Sequence, residues 1–248
     1  VILNGMKLSF LFFLIPFLAL IVGVSFAIFK AASIFGVITT PHARQIVGWI
    51  FVLMPIVLLL TMAIGSFINS SINTFFYIIT VTWLPILIYL FMATVLLTII
   101  NLLATSFGHP FTMTPLAIIS IVIAAGATAF GIINATMPRV VTYEIDAPAL
   151  SAAWSGKNIV LVSDTHLGVV RSAHFMQKVV RKINEQKPDL VLIAGDLIDG
   201  PIFNYAKGLA PLAGIQSTFG TVYTPGNHEG YNREPEKFYP AVRPLVTT

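Results

Sequence analysis

Three short groups of polar residues near the end of the chain combine the side-chain types that bind divalent metal ions. They are Ser163-Asp164-Thr165-His166, Gly195-Asp196 and Gly226-Asn227-His228-Glu229. Carboxylate and amide oxygens and imidazole nitrogens are the ligands that Mn, Fe, Zn and similar ions accept. Asp164 and His166 are two residues apart on an irregular turn, so both can reach one ion. Asp196 has two carboxylate oxygens and can bridge two ions.

Each group directly follows a short apolar run that predicts a β-strand. The three predicted strands are Asn158–Val162, Asp189–Ala194 and Thr221–Thr224. The first two read as strands buried on both faces of a sheet. In open α/β sheets, ligands bind beyond the carboxyl ends of parallel strands, so we expect the three groups to meet at one rim.

Helical and further strand patterns complete a predicted α/β domain. Ser172 to Gln186 predicts a helix with Ser172 as its N-cap, and Tyr205 to Leu212 predicts a second helix. Val140 to Ile145 alternates apolar and polar residues and predicts an additional strand. The order of strands and helices is an α/β layered pattern.

Taken singly, each group has an ordinary structural explanation. Asp-x-His is more often a solvated turn, and Gly-Asp and Asn-rich turns commonly serve backbone geometry. Their order, each at the end of a strand, favours one shared site. His174, at the start of a helix, is expected to be a surface or capping residue. Asp199 is expected to be a turn residue, with a supporting contact to the site as the alternative.

The three ordered groups resemble the first three motif blocks of the calcineurin-like metallophosphoesterase superfamily. The flanking residues Leu161–Gly168 and Pro188–Val191 resemble its bacterial membrane-associated branch. The similarity extends from about Asn158 to Tyr231 and does not cover the apolar part of the chain that precedes it.

This resemblance implies a partial layered sheet flanked by helices and a site for two divalent metal ions, such as Mn, Fe or Zn. Asp164 and His166 would bind the first metal, Asp196 would bridge, and Asn227 would bind the second metal. Asn227 and His228 would lie at the catalytic centre, where His228 contacts the phosphate and protonates the leaving oxygen. The nucleophile would be a hydroxide held between the two metals, which also clamp the phosphoryl oxygens.

The sequence departs from the superfamily after His228. The family completes its site with further histidines, including a Gly-His-x-His block, and none follows here. We therefore expect this segment alone to be inactive or nearly so, and the natural chain to continue past Thr248. Val242 to Thr248 is interpreted as the approach to another strand.

The N-terminal part of the chain has a different composition. All ten acidic residues lie at or after Glu144, and only three basic residues precede Arg139. The chain is 56% hydrophobic and 10% charged, whereas soluble domains average about a quarter charged residues. We predict a transmembrane helical anchor over residues 1–138 and an incomplete catalytic domain over residues 139–248.

Four apolar stretches in the anchor have the length needed to cross a bilayer, which is about 20 residues. The predicted spans are residues 8–29, 46–68, 75–100 and 116–133. Pro55 and Pro85 fall inside spans, where they are expected to act as kinks. His42 and His109 are placed in the connections. These spans contain no Asp, Glu, Lys, Arg or His, which argues against a transporter or proton pump. Lys and Arg are balanced between the two sides, so orientation is left open.

The combined prediction is a multi-pass cell-membrane protein that hydrolyses a phosphate mono- or diester. Its expected partners are the lipid bilayer and a phosphate ester, with lipid-linked and nucleotide substrates both open. The alternative is a non-catalytic membrane regulatory or binding protein with an esterase-like metal site. Nucleic acid is not expected, because no run of Lys and Arg concentrates the net charge of +4. The absence of cysteine excludes disulfides and thiolate ligands within these residues.

Overall fold

The computed structural model describes residues 8–65, 71–199, 204–231 and 235–246. The chain forms two compact units, Val1–Ile132 and Ile133–Thr248. Residues 66–68, the end of the second predicted span, lie outside the described residues.

Four long helices form the first unit. They are α1 (Leu8–Ile34), α2 (Pro41–Gly65), α3 (Ser71–Ser106) and α4 (Thr114–Ala135). Each is long and apolar enough to cross a membrane by length and composition, which confirms the prediction of four membrane-capable helices. Pro55 and Pro85 lie inside α2 and α3, as predicted.

The helices extend beyond the predicted apolar spans, because helix ends are set by capping as well as by hydropathy. The Ala43 N–H donates to Thr40 Oγ1 at 3.1 Å, so α2 has a threonine cap and begins at Pro41. His42 therefore lies in the first turn of α2, and its prediction as a loop residue is wrong. His109 does lie in the connection between α3 and α4.

The first three helices pack through aromatic and aliphatic side chains. The rings of Phe51 on α2 and Trp83 on α3 lie edge to face with centroids 5.3 Å apart. A buried cluster joins the same three helices, and a second joins α1, α3 and the start of α4. Many other large apolar side chains are exposed around the helices, including Leu20 and Val122. An apolar surface of this extent is typical of helices that face lipid.

The second unit is built on three parallel strands with helices between them. The strands are β1 (Ile159–Val162), β2 (Leu190–Ala194) and β3 (Thr221–Thr224), in the spatial order β1-β2-β3. Val160 pairs with Val191, and Leu192 pairs with Val222. The helices are α5 (Ala173–Glu185), α6 (Tyr205–Leu209), α7 (Asn227–Tyr231) and α8 (Pro235–Val242). Short 3₁₀ turns cover Ala152–Trp154, Ala210–Gly214 and Arg243–Leu245.

The core of this unit lies on one face of the sheet. The apolar side of α5 repeats at helical spacing and buries Met176, Val179, Val180 and Ile183. These side chains form one cluster with Val191 and Ile193 of β2 and with residues of α6 and α8. Phe238 on α8 is fully buried, with ring contacts to Tyr205, Tyr223 and Tyr239. Burial of this apolar surface fixes the sheet and therefore the turns at its rim.

The opposite face of the sheet is open in the part of the chain that the structure describes. Ile159, Leu161 and Val222 are 44%, 66% and 44% exposed. The prediction that β1 is buried on both faces is therefore wrong for the described residues. Strand residues alternate between faces, and the core cluster takes strand residues from one face only.

Two other predictions about elements need correction, and a third stays untested. Val140 to Ile145 forms no strand, and Tyr143 is 79% exposed, because alternation alone supplies no partner strand. The helix predicted from Tyr205 to Leu212 changes to a 3₁₀ turn after Leu209, where Pro211 lacks a backbone N–H. The described residues after Val242 form a 3₁₀ turn, and residues 247–248 lie outside the described residues, so the interpretation of Val242–Thr248 as the approach to another strand stays a prediction.

Candidate metal centre

The turns after β1 and β2 remain paired beyond the strands. The His166 N–H donates to the Asp196 carbonyl at 2.9 Å, and the Leu167 N–H donates to the Leu197 carbonyl at 2.9 Å. The Thr165 hydroxyl adds a bond to the Leu197 carbonyl at 3.0 Å. Because β1 and β2 are adjacent and parallel, the polar groups that directly follow these two strands meet at one rim, as predicted.

The candidate ligands share an uncommon backbone conformation. Asp164, His166 and Asp196 have φ values of +55°, +45° and +49°, in the left-handed region that favours glycine. Non-glycine residues held there cost on the order of 1–3 kcal/mol each and cluster at functional sites. The paired turns supply the surrounding bonds that maintain this geometry.

Asp164, His166 and Asp196 bring ligand atoms into one small group. One such atom from each residue lies within 4.8 Å of the others. Asp164 Oδ1 is 3.7 Å from His166 Nε2. The group therefore offers two carboxylates and one imidazole to a common position, which suits a divalent first-row ion.

A second group of potential ligands contains His166, Asp199 and His228. Asp199 Oδ1 lies 3.0 Å from His228 Nδ1, and Asp199 Oδ2 lies 3.7 Å from His166 Nδ1. The two histidine rings lie edge to face, with centroids 4.5 Å apart. Asp199 thus reaches both histidines, so its interpretation as only a turn residue is wrong. Its position three residues after Asp196, within the same turn, was the available sequence indication.

The fit of a metal ion is supported by an unpaired atom on His166. Its Nδ1 is buried and has no hydrogen-bond partner among the described residues. The 3.7 Å separation from Asp199 exceeds hydrogen-bond range. Buried polar atoms without partners are rare, and such an atom is commonly satisfied by a bound water or ion. The residues present therefore fit a divalent ion at this rim.

The turn after β3 packs directly against the turn after β2. A side chain at Gly226 would place its Cβ 2.3 Å from Asp196 Oδ1, and one at Gly195 would meet the Gly226 backbone at 2.7 Å. Glycine is required at both positions because the turns are this close. Asp196 Oδ1 also accepts the His228 N–H at 2.9 Å. Asn227, the first residue of α7, is exposed beside these contacts.

Two residues have supporting roles that were not predicted from the sequence, although Glu229 belongs to the third polar group. Glu229 is 3% exposed, and its carboxylate accepts backbone N–H groups from both the β2 and β3 turns. Arg171 donates from Nη1 to the carbonyls of Asp164 and Thr165 at 3.0 and 3.1 Å. Neither side chain could be assigned from sequence, because its partners are backbone atoms. His174 is exposed on α5 and belongs to neither ligand group.

Two titratable groups near the sheet have shifted pKa values. Burial raises the pKa of the Tyr223 phenol on β3, and the nearby negative charge of Glu229 raises it further. The phenol therefore stays protonated. At the opposite end of the sheet, the Asn158 N–H and then Lys157 lower the pKa of Asp189.

Comparison with known families places this geometry in context. Residues 157–247 match the family model described as calcineurin-like phosphoesterase, which confirms the predicted resemblance. The match covers the three-stranded unit and its rim, while the four long helices precede it.

Individual relatives give the same result. The chain is 32% identical over 123 residues to a "Transmembrane protein with metallophosphoesterase domain" from Danio rerio, covering 49% of this chain and 28% of the relative. A Bos taurus protein of the same name is 34% identical over 110 residues, covering 44% and 25%. An "Uncharacterized metallophosphoesterase" from Helicobacter pylori is 42% identical over 74 residues, covering 30% and 20%. The chain thus spans between 20% and 28% of the length of these relatives. No solved structure gives a significant match.

Proposed function

Since residues 157–247 match the calcineurin-like phosphoesterases, we propose that this protein is a membrane-anchored, metal-dependent hydrolase of phosphate mono- or diesters. The observation that carries the proposal is the group of Asp164, His166 and Asp196, whose ligand atoms lie within 4.8 Å of one another at one rim of the sheet. The His228 ring, paired with Asp199 at 3.0 Å, lies beside this group, with its centroid 4.5 Å from that of His166.

In this proposal, Asp164, His166, Asp196 and Asn227 hold two divalent ions of the Mn, Fe or Zn type. Bound ions of this kind act as Lewis acids that offset phosphoryl charge and activate water. Asp196 is suited to bridging, because its carboxylate lies beside both the ligands of the β1 turn and the His228 N–H of the β3 turn. The exposed Asp164 side chain leaves the rim open to a substrate.

His228 supplies the proton that the leaving group needs. As the phosphorus–oxygen bond to the leaving group breaks, the proton moves from the His228 ring to the departing oxygen, and water provides the new oxygen on phosphorus. Asp199 orients the ring through Nδ1, 3.0 Å away. Proton transfer by a placed histidine contributes about 10²–10⁴-fold in rate.

The four apolar helices support a membrane location for this chemistry. We propose a multi-pass cell-membrane protein with an anchor over residues 1–138 and a catalytic domain over residues 139–248. An esterase held at a bilayer encounters lipid substrates at high local concentration. A phospholipid or a lipid-linked pyrophosphate is therefore the favoured substrate class, with nucleotides as the alternative in a substrate screen.

The test is metal-dependent hydrolysis of bis-p-nitrophenyl phosphate by a full-length form of the protein, purified in detergent with Mn²⁺. We expect turnover in the wild type and its loss in Asp196→Asn and His228→Ala. His174→Ala is the matched control, because this exposed histidine lies outside both ligand groups. Unchanged turnover in both site variants would refute the mechanism. Stoichiometric Mn²⁺ binding without turnover on a panel of esters would instead favour the regulatory function.

A further inference from the structure

We propose that Glu229 is a positioning residue that fixes Asp196 for metal bridging by tying together the turns after β2 and β3. This inference rests on the proposed function, since it concerns the same metal centre. Glu229 would act through the protein backbone, without touching metal or substrate.

The hydrogen bonds of Glu229 carry the proposal. Oε1 accepts the N–H groups of Leu197 and Ile198 at 2.7 and 3.1 Å. Oε2 accepts the N–H groups of Asp196 and Gly226 at 2.9 and 2.7 Å. A carboxylate has about four acceptor sites, so these bonds use its full capacity. Glu229 is also 3% exposed, which leaves it unsuited to act as a metal ligand itself.

Asp196 is the residue on which these bonds converge. Its own N–H is held by Glu229, and its Oδ1 is held by the His228 N–H at 2.9 Å. Its φ of +49° is unfavourable for a residue with a side chain, so it persists only where neighbours impose it. Removing the Glu229 bonds would free the Asp196 backbone to leave this conformation and shift its carboxylate.

Charge and position are separable explanations for any effect of Glu229. Glu229→Asp keeps the negative charge but is one methylene too short to reach both turns. Glu229→Gln keeps the size but turns one acceptor oxygen into an NH₂ group that faces backbone donors. If Glu229 acts by holding the two turns in place, both variants should lose metal affinity. If only its negative charge matters, Glu229→Gln alone should lose affinity.

The experiment is titration of a full-length form of the protein in detergent with Mn²⁺, followed by calorimetry and electron paramagnetic resonance. Loss of an outer-shell partner typically costs 10–100-fold in metal affinity. We expect both Glu229 variants to bind Mn²⁺ about tenfold or more weakly and to lose the magnetic coupling of a bridged Mn pair. Wild-type affinity in Glu229→Asp would overturn the positioning role.

Asn184→Ala is the matched control for a general loss of stability. The Asn184 side chain also ties two backbone segments, donating to the Gly214 carbonyl at 2.8 Å and accepting the Gln216 N–H at 3.0 Å. It lies on α5, outside the ligand groups. We expect Asn184→Ala to lower the melting temperature without changing Mn²⁺ affinity. An equal loss of affinity in this control would overturn the specific role of Glu229.

Hydrogen exchange of the wild type provides a second measurement if the Glu229 variants do not fold. The N–H groups of Asp196 and Gly226 lie in turns, where exchange is ordinarily fast, yet both are bonded to a buried carboxylate. We expect slow exchange at both, and fast exchange would overturn the proposal. A wild type that binds Mn²⁺ but does not hydrolyse esters refutes the proposed function alone. A wild type that binds no Mn²⁺ refutes both the proposed function and the positioning role of Glu229.

Discussion

Asp199 Oδ1 lies 3.0 Å from Nδ1 of His228, although the two residues are 29 positions apart in the sequence. The pairing exists because β2 and β3 are neighbouring parallel strands whose following turns meet at one rim. It gives the ring of His228 a fixed orientation at this rim.

Asp199→Asn should lower kcat for bis-p-nitrophenyl phosphate by about 10²-fold, because a misoriented or wrongly tautomeric histidine loses much of its contribution as an acid. Steady-state kinetics with Mn²⁺ measures the effect. Asp189→Asn is the matched control, since Asp189 lies at the opposite end of β2. An unchanged kcat in Asp199→Asn would contradict a functional pair.

Arg171→Ala should weaken the turn that contains Asp164. The guanidinium bonds to two carbonyls of that turn and lies over the Phe175 ring at 5.1 Å. Hydrogen bonds to charged groups contribute about 1.5–3 kcal/mol, and partial exposure of Arg171 reduces this, so we expect about 1–2 kcal/mol of destabilisation.

Thermal denaturation together with Mn²⁺ titration tests the role of Arg171. Arg171→Lys should restore little, because an ammonium group lacks the planar fork of arginine. Arg181→Ala, on the exposed side of α5, serves as the control. Equal melting temperatures for all three variants would show that Arg171 does not stabilise the turn that contains Asp164.

Leu209→Ala should destabilise the second unit by about 2–5 kcal/mol, the range for a leucine truncated in a packed core. Leu209 is fully buried in the cluster that supports the sheet. Leu150→Ala is the matched control, since Leu150 is 55% exposed and should change stability by about 0.5 kcal/mol or less. Urea denaturation measures the stability of both variants. Similar midpoints would contradict the placement of Leu209 in the core of this unit.

Asp189→Asn should remove a pH-dependent contribution to stability. The Asn158 N–H donates to Oδ2 at 2.9 Å, Lys157 lies 3.1 Å from Oδ1, and both lower the pKa of Asp189 below its usual 3.8. A lowered folded-state pKa stabilises the fold above the unfolded-state value, and this contribution is lost as the pH falls through the folded-state pKa.

Denaturation of wild type and Asp189→Asn between neutral pH and about pH 2 tests whether the stabilisation by Asp189 is lost on acidification. The wild type should be the more stable of the two at neutral pH, and the difference should shrink below about pH 4. A difference that grows on acidification would show that the bonds do not favour the charged carboxylate.

Local sequence patterns predicted much of this protein. The length of each apolar stretch identified four membrane-capable helices, and short apolar runs identified three strands with polar residues directly after them. These properties depend on residues near one another in the chain. Asp164, His166 and Asp196 could therefore be grouped from sequence once the strands were taken as parallel.

Only the tertiary structure decided which side chains support that group. Asp199, Glu229 and Arg171 act through partners that composition and spacing do not identify, and the Glu229 bonds to the β2 turn span 31 to 33 residues. The strand predicted at Val140–Ile145 was wrong for the same reason, since a strand requires a partner in space as well as an alternating pattern. Sequence determined the chemical groups available at the rim, and packing of β1, β2 and β3 determined which of them came within reach, because hydrogen-bond contact depends on distances in space.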